Sequence, residues 1–373
     1  NKPMPLLRVA DQTPIQLQLR RDLVRSVKRG HAWIYADALR ALPSAHPGTP
    51  AILLDNRGGR EIGRGYYEPQ GAIALRICTT QHGEALTDTW AADRMQRALS
   101  LRQSLFKDDT TAYRLFNGEG DWLPGLVCDR YAQAAVLQLD GEAACHFWHA
   151  PGIAKWLEEA LGLNLVVERL PGKKLTRAQV LLGPEPQTPL PFLEHGIRFS
   201  ADVLHGQKTG FYIDQRENRR RMQAYAAGRT VLNVFGYTGG FSVYAGMAGA
   251  AHVTTVDSAQ PALEAAAVHW TLNDLVPNCH TTVCAYAFEF LDSAQKELKT
   301  WDVVILDPPS FAPSQAVVPK ALQAYQKLIA LGASVTANGG ILAAGSCSSH
   351  VSLDDFTRAC QEGISKARCK ATT

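Results

Sequence analysis

The sequence predicts an α/β protein: a parallel sheet with helices on both faces in its C-terminal half, preceded by a small β-barrel and a central α+β domain. Three observations carry that prediction. From Val231 onward, continuous apolar strand-like runs alternate with helical ones, the pattern of a sheet buried on both sides. Within residues 1–80, short period-two runs are separated by turns. Between residues 85 and 185, helical and extended patterns are mixed. The chain's 373 residues suffice for two or three domains with sizeable cores.

In the first segment "IQLQL" and "AIALRI" alternate, and "AILLD" is a short buried-type run. Between them "RRDLVRSVKRG" has helix spacing, with Leu23, Val24 and Val27 on one side and Arg20, Arg21, Arg25 and Lys28 elsewhere. A small barrel with one or two short helices is the natural packing. Next, "ADRMQRALSLRQSLF" and "APGIAKWLEEALG" predict helices, and "AAVLQL" and "NLVVERL" strands. The Pro- and Gly-dense "LLGPEPQTPLP" reads as a linker, and "FLEHGIRFSADV", with Gly196 between two short runs, as a hairpin. The boundaries expected are therefore 1–80, 81–187, 188–204 for the hairpin and 205–373. In the last segment "RTVLNVF", "HVTTVD", "WDVVILD" and "GGILAAGS" predict four strands, and "GGFSVYAGMAG" and "PALEAAAVHWTLNDL" helices between them.

Composition narrows the function class. No apolar run approaches a membrane span, and the opening residues hold no signal-peptide core. Eight cysteines are sparse in a chain of this length, and none forms a CxxC pair, which disfavours a disulfide scaffold and a zinc site and fits a reducing cytoplasm. No other metal site is expected. The overall charge of +3 conceals an uneven distribution: +6 in residues 1–80, −4 in 81–204 and +1 in 205–373. A basic first segment suits a polyanion-binding module, and equally a solvated face on which the charges are scattered.

The strand "VLNVF" runs directly into "GYTGGFS", which opens a helix. Glycines at such a turn let backbone N–H groups approach a ligand. Asp257 ends the next strand, 21 residues after Gly236, where a carboxylate can accept hydrogen bonds from ribose hydroxyls. The spacing is not GxGxxG, so a nucleoside without pyrophosphate, such as S-adenosylmethionine, suits it better than a dinucleotide. The glycines would equally permit tight strand–helix packing. Asp307-Pro308-Pro309 ends the third strong strand, at the edge where open α/β sheets bind ligands.

"QKTGFYIDQRENRRRM", "VLNVFGYTGGFSVYA", "DVVILDPPSFA" and "GSCSS" occur in the order found in class I S-adenosylmethionine-dependent RNA methyltransferases. With "GRGYYEP", "GDWLPGLVCDRY" and "KRGHAWIYADAL" upstream, nearly the whole chain resembles the ribosomal large-subunit methyltransferase I family of 23S rRNA cytosine-C5 methyltransferases. The resemblance implies a class I, Rossmann-like methyltransferase sheet and an N-terminal PUA-type barrel that binds RNA. It implies S-adenosylmethionine as cofactor and large-subunit ribosomal RNA as partner. Tyr212, Asp214, Gln215 and Arg216 would fold over the cofactor's methionine end, with a local helix-capping ion pair as the other reading of Asp214 and Arg216. Asn233, Phe235, Gly236 and Gly239 would form the cofactor loop, Asp257 the ribose contact, and Asn273 a further cofactor contact. One departure stands out: where the family places an acidic residue against the adenine amino group, "VCAYAFEFL" offers Tyr286, and Glu289 is a substitute one turn later.

C5 of cytosine is too weak a nucleophile to take a methyl group unaided; addition of a thiolate at C6 activates it. By resemblance Cys347, between Ser346 and Ser348, is that nucleophile; the plain alternative is a small buried residue. Asp307 is the candidate to hydrogen-bond N3 or N4 of the base, and is expected to contact the cofactor as well. Phe311 could stack on a flipped base or pack in the core. Related enzymes carry a second Cys after the Pro-Pro, where this chain has Ser310. Arg20, Arg21, Arg25, Lys28, Arg29, Arg57, Arg60 and Arg64, then Lys173, Lys174 and Arg177, then Arg219, Arg220 and Arg221 are candidate phosphate contacts or solvated side chains.

Two other functions stay open at this level: N-methylation of a base amine, served elsewhere by Asp-Pro-Pro motifs, and a non-catalytic RNA-binding or ribosome-assembly role. Class I sheets usually end in a β-hairpin, and nothing after "LDDFTRACQEGISKA" supplies one. The expectation is an open sheet edge, with lowered solubility or a homodimer contact there.

Overall fold

The computed structural model describes residues 3–170 and 177–372. The chain forms two compact units, Asn1–Gly196 with Ser200–Ile213, and Ile197–Phe199 with Asp214–Thr373.

The first unit begins with β1 (Ile15–Gln18), α1 (Val24–Lys28), β2 (Trp33–Tyr35), β3 (Pro50–Leu54), β4 (Glu61–Tyr67) and β5 (Ile73–Thr79). These strands form one sheet in the order β1-β3-β4-β5-β2. Alternation puts Leu17, Leu53, Leu75 and Ile77 on its inner side with Val27 and Ile34. The charged segment forms only one short helix, because Val27 alone of its residues is buried.

The same unit continues with α2 (Asp88–Leu105), β6 (Ala112–Asn117), β7 (Leu126–Tyr131), β8 (Ala134–Leu139), α3 (Glu142–Phe147), α4 (Ala150–Leu161), β9 (Leu165–Leu170) and β10 (Arg177–Leu182). Thr87 caps α2, its side chain accepting the Trp90 N–H at 3.2 Å. The second sheet runs β10-β9-β8-β7-β6. Its strands β6 and β7 went unread in sequence, and β10 takes Leu181 and Leu182 from the expected linker. Tyr66 of β4 joins the two layers: it stacks on Phe147 at 4.5 Å and donates to the Pro124 carbonyl at 2.8 Å. β11 (Leu190–Glu194) and β12 (Ile197–Ala201) form the expected hairpin across Gly196.

The second unit contains α5 (Arg216–Gln223), β13 (Thr230–Val234), α6 (Gly240–Met247), β14 (His252–Asp257), α7 (Gln260–Leu272), β15 (His280–Cys284), α8 (Ala287–Lys296), β16 (Trp301–Leu306), α9 (Val318–Ser334), β17 (Thr336–Ala344) and α10 (Leu353–Lys366). Its sheet is wholly parallel, in the order β15-β14-β13-β16-β17. The four expected strands form, and a fifth, β15, adds an edge. "HTTVC" escaped notice because an edge strand exposed on much of its surface needs no continuous apolar run.

The sheet has a core on each face. Leu232, Val234, Val304 and Leu306 pack with Leu291 of α8 and Leu328 and Ile329 of α9. Val231, Val253, Val303 and Ile305 pack with Ala245 of α6 and Trp270 of α7. Each such buried aliphatic side chain contributes roughly 1.5–3 kcal/mol. Asp302 clasps β13 to β16, accepting from the Thr230 N–H at 2.8 Å and its hydroxyl at 2.9 Å. Those hydrogen bonds hold its carboxyl below the usual carboxylate range. The strand order reverses between β13 and β16, which opens a crevice at their carboxyl ends. No strand follows β17 among the described residues.

Candidate active site at the carboxyl edge of the parallel sheet

β13 delivers Val234 into a loop whose backbone is unusual. Phe235 and Tyr237 have φ of 60° and 48°, and Gly239 has 78°. Two non-glycine residues held left-handed so close together mark a segment fixed by its surroundings. A Cβ on Gly236 would lie 2.4 Å from Thr255 Cγ2, and one on Gly239 2.8 Å from Ala266 Cβ of α7. The loop is therefore packed against β14 and α7, leaving its backbone at the crevice. His269 binds the Thr238 carbonyl at 2.8 Å from the α7 side.

Asp257, at the end of β14, accepts the Tyr237 N–H at 2.9 Å on one oxygen and the Ala259 N–H at 2.9 Å on the other. A carboxylate has about four acceptor positions, so capacity remains for a ligand's hydroxyls. Asn233 sits deeper, only 1% exposed. Its Nδ2 donates to Ser242 Oγ at 2.9 Å, Ser242 meets Thr255 Oγ1 at 2.6 Å, and Thr255 meets His280 Nε2 at 2.8 Å. Asn233 Oδ1 is buried without a hydrogen-bond partner among the described residues. His280 stacks on Trp270 at 4.6 Å, and burial, with His252 nearby, lowers its pKa to about 4.

Asp307 follows β16, and Gln215, preceding α5, reaches it with Nε2 3.2 Å from Oδ2 and 3.4 Å from Oδ1. The amide's orientation follows from its other end, where Gln215 Oε1 accepts from Asn218 at 2.7 Å. Arg216 pairs with Glu217 at 3.0 Å, and Asp214 is exposed. Tyr212 belongs to the other unit, where its hydroxyl donates to Gln207 at 2.5 Å. There the first half of the "QKTGFYIDQR" motif is held by the central sheet. Arg169 donates to the carbonyls of Leu204, Gly206 and Lys208, and Thr209 Oγ1 to Asp129 at 2.7 Å.

Cys347 follows β17 in the loop beside Asp307: Leu306 and Ala344 pair in register, and a Cβ on Gly345 would lie 3.0 Å from Asp307 Oδ1. The Cys347 thiol is exposed, with Sγ 3.7 Å from the Pro308 carbonyl. Other cysteines differ in setting. Cys78 and Cys128 are fully buried, and burial pushes their thiols well up; Cys360 is pushed up to about 11 in the same way. Cys284 is exposed but ends the far edge strand, where its thiol meets the Ser258 carbonyl at 3.6 Å.

Several of the expected site residues have partners of their own within the fold. Asn273 caps α7 and is fully used there: its amide donates to the carbonyls of Arg198 and His269 and accepts the Arg198 N–H, each at 2.8 Å. It ties down a backbone segment, a role invisible without the fold. Phe311 packs on Tyr325 at 4.9 Å and Phe288 at 6.3 Å, which gives it a core role. Tyr286, 69% exposed, precedes α8, and Glu289 is exposed too. Arg219 is buried over the Tyr244 ring, and Arg64 is bound bidentately by Glu61 at 2.7 and 3.0 Å, so both are engaged within the fold. Arg20, Arg25, Lys28, Arg29 and Arg57 stay exposed, as do Arg177, Arg220 and Arg221. Arg21 and Arg60 face Asp37 and Asp55 at 3.6 and 3.7 Å. Lys173 and Lys174 lie outside the described residues.

Sequence reasoning missed Tyr325. It is fully buried on α9, and its hydroxyl lies 2.9 Å from Ser346 and 2.8 Å from Ser348, the two neighbours of Cys347. Ser348 also accepts the Phe311 and Ala312 N–H groups at 3.1 and 3.3 Å, stapling the Asp-Pro-Pro loop to the cysteine loop. Only the helical spacing of "ALQAYQKLIALGA" hinted that Tyr325 turns inward.

Among the described residues no group of His, Cys, Asp and Glu could hold a metal ion, and no helix is long and apolar enough to cross a membrane. The donor set fits S-adenosylmethionine instead. The Phe235–Gly239 backbone, the remaining acceptor capacity of Asp257 and the orphaned Asn233 oxygen beneath the loop offer polar partners without a phosphate cradle.

The profile of the S-adenosylmethionine-dependent methyltransferase family matches residues 157–360, and that of the PUA-like domain residues 17–80. A ribosomal RNA large subunit methyltransferase from Deinococcus radiodurans is 39% identical, covering 91% of this chain and 86% of that relative. Ribosomal RNA large subunit methyltransferase I from Shewanella denitrificans is 34% identical over 92% of this chain and 88% of its own. The Escherichia coli (strain SMS-3-5 / SECEC) protein of that name is 32% identical over the same shares. Among solved structures, a SAM-dependent methyltransferase from Streptococcus mutans superposes with a TM-score of 0.81 at 25% identity, over 94% of this chain and 91% of that one. A methyltransferase solved in complex with SAH matches with the same TM-score and identity, over 94% of this chain and 90% of its own.

Proposed function

We propose that this chain, which belongs to the S-adenosylmethionine-dependent large-subunit ribosomal RNA methyltransferases, methylates C5 of a cytosine through a covalent bond between Cys347 and C6 of the base. The observation that carries the reading is the position of Cys347. It is an exposed thiol at the carboxyl end of β17, 3.7 Å from the Pro308 carbonyl and in the loop against Asp307.

The chemistry follows from those two side chains. As a thiolate, Cys347 adds to C6, and the electron pair displaced from the C5–C6 bond makes C5 nucleophilic. Asp307, oriented by Gln215, accepts from the exocyclic amine and holds the ring. S-adenosylmethionine supplies the methyl group as an electrophilic carbon. Loss of the C5 proton to a base then expels the thiolate and restores the ring. Ser310 stands where a second cysteine would be needed for a two-cysteine release, so the reading involves one thiol only.

Cofactor binding is assigned to the Phe235–Gly239 loop and Asp257, with Gln215 beside Asp307. Asp214 and Arg216 are kept as contacts at the methionine end. Exposed Arg25 and Arg29, with His31, border an open hollow on the first sheet's unit and are assigned to RNA phosphates. The outer edge of β17, unpaired among the described residues, is the proposed contact for a second copy of the chain.

The deciding experiment is mass-spectrometric mapping of methylated cytosines in large-subunit ribosomal RNA from cells with and without the gene. One 5-methylcytosine lost with the gene, and restored by the parent but not by Cys347→Ala, is the expected result. A lost mark on a base amine would overturn the C5 reading.

A further inference from the structure

The proton of each hydroxyl around Cys347 can be assigned by counting lone pairs. Ser348 Oγ accepts the Phe311 N–H at 3.1 Å and the Ala312 N–H at 3.3 Å. A hydroxyl has two acceptor lone pairs and one proton, so Ser348 is filled as an acceptor and must donate. Its nearer hydroxyl neighbour is Tyr325, at 2.8 Å, against 3.3 Å for Ser310. Tyr325 therefore accepts from Ser348 and sends its own proton to Ser346 Oγ, 2.9 Å away. Ser346 Oγ also receives the Ser348 N–H at 3.3 Å. Both its lone pairs are then taken, and among the described residues no group accepts its proton.

Ser346 is exposed and adjoins Cys347 in the chain. It is a hydroxyl restricted to donating, with the restriction imposed from the core by buried Tyr325. A donor-only group at this place recognises an acceptor.

We propose that Ser346 is a substrate-binding residue that donates a hydrogen bond to an acceptor atom, N3 or O2, of the pyrimidine attacked by Cys347. This rests on the roles given above to Cys347 and Asp307. The pair then reads complementary edges: Asp307 takes the amine of cytosine and Ser346 its ring acceptors. Uracil would present a carbonyl oxygen to the Asp307 carboxylate, an acceptor against an acceptor, and is rejected for that reason.

The test uses the full chain, deproteinised large-subunit ribosomal RNA and steady-state methyl transfer, with S-adenosylmethionine affinity measured separately by calorimetry. Ser346→Ala is expected to lower kcat/KM for RNA roughly tenfold, the effect of one lost hydrogen bond to substrate, with cofactor affinity held within about twofold. Ser346→Thr, which keeps the hydroxyl, is expected to restore most of the loss. Unchanged kcat/KM in Ser346→Ala overturns the proposal, as does a Thr variant as impaired as the Ala variant or a parallel fall in cofactor affinity. Cys347→Ala is measured alongside. Full methyl transfer by that variant overturns the C5 reading, whereas its inactivity beside an unimpaired Ser346→Ala overturns only the role of Ser346.

Discussion

The hydroxyl of Tyr325 lies 2.8 Å from Ser348 Oγ, and that contact links α9, in the core, to the loop carrying Cys347. Through Ser348 it also reaches the backbone of Phe311 and Ala312, so one phenol oxygen sets the separation of the cysteine and Asp-Pro-Pro loops. Tyr325→Phe keeps the ring packed at a tilt on Phe311 and edge-on to Phe356 but removes the nearer acceptor of Ser348, leaving only Ser310 at 3.3 Å. We expect a loss of roughly 1–3 kcal/mol in urea unfolding, and a methyl-transfer rate reduced while S-adenosylmethionine affinity is unchanged. An undiminished rate would remove the positioning role of Tyr325.

Cys347→Ala is expected to abolish methyl transfer and to leave cofactor binding intact, because the thiol lies with Asp307 and away from Asp257. Cys284→Ala is the control, an exposed thiol at the opposite edge of the sheet, and should retain parental activity. Radiolabelled methyl incorporation compares the two.

Gly236→Ala places a methyl group 2.4 Å from Thr255 Cγ2, which the packed strand cannot absorb without moving the loop. A stability loss of about 1–3 kcal/mol is expected, together with weakened S-adenosylmethionine binding by calorimetry. Thermal melts with and without cofactor separate the two effects, since the variant should lose most of the parent's ligand-induced rise.

Asn273→Ala should behave in the opposite way. Its three hydrogen bonds all serve the backbone of Arg198 and His269, so the expected cost is roughly 1–3 kcal/mol of stability with cofactor affinity unaltered. A selective loss of affinity would instead place Asn273 in contact with the cofactor.

His280 gives a pH dependence with a definite sign. Its folded pKa is lowered to about 4 by burial and by His252, below the roughly 6.5 of an unfolded histidine. Between those values the unfolded chain binds more protons, so stability is complete above the unfolded pKa and is lost as pH falls toward the folded one. Urea midpoints should drop on going from near pH 7 to about pH 4.5, and His280→Gln should reduce that drop. An identical slope in the variant would show that the stabilisation lies elsewhere.

The central strands of the parallel sheet were legible in sequence, because burial on both faces writes a continuous apolar run: "VLNVF" and "WDVVILD" become β13 and β16, whereas β4 and β7, interior strands of the other two five-stranded sheets, went unread. The β15 edge left no such run, since none of its residues is buried. Residues proposed to act through chemistry were legible when local context marked them, as with Cys347 between serines or Asp307 before two prolines. Residues acting through position were not: Asn273 reads as a polar helix end, Arg219 as one of three surface arginines, and Tyr325 as an ordinary core aromatic.

By itself, the sequence determined the alternation of strands and helices, the glycine loop after β13, the acidic ends of β14 and β16, and the thiol beyond β17, because each depends on neighbours along the chain. Tertiary structure decided which of these meet. Adjacency of β16 and β17 brings Asp307 beside the Cys347 loop, 40 residues further along the chain, and Tyr325 orders the protons of the hydroxyls around that thiol. Hydrogen bonds act over about 3 Å in space whatever the separation in sequence, so a donor's only free direction exists once every other partner has been placed around it.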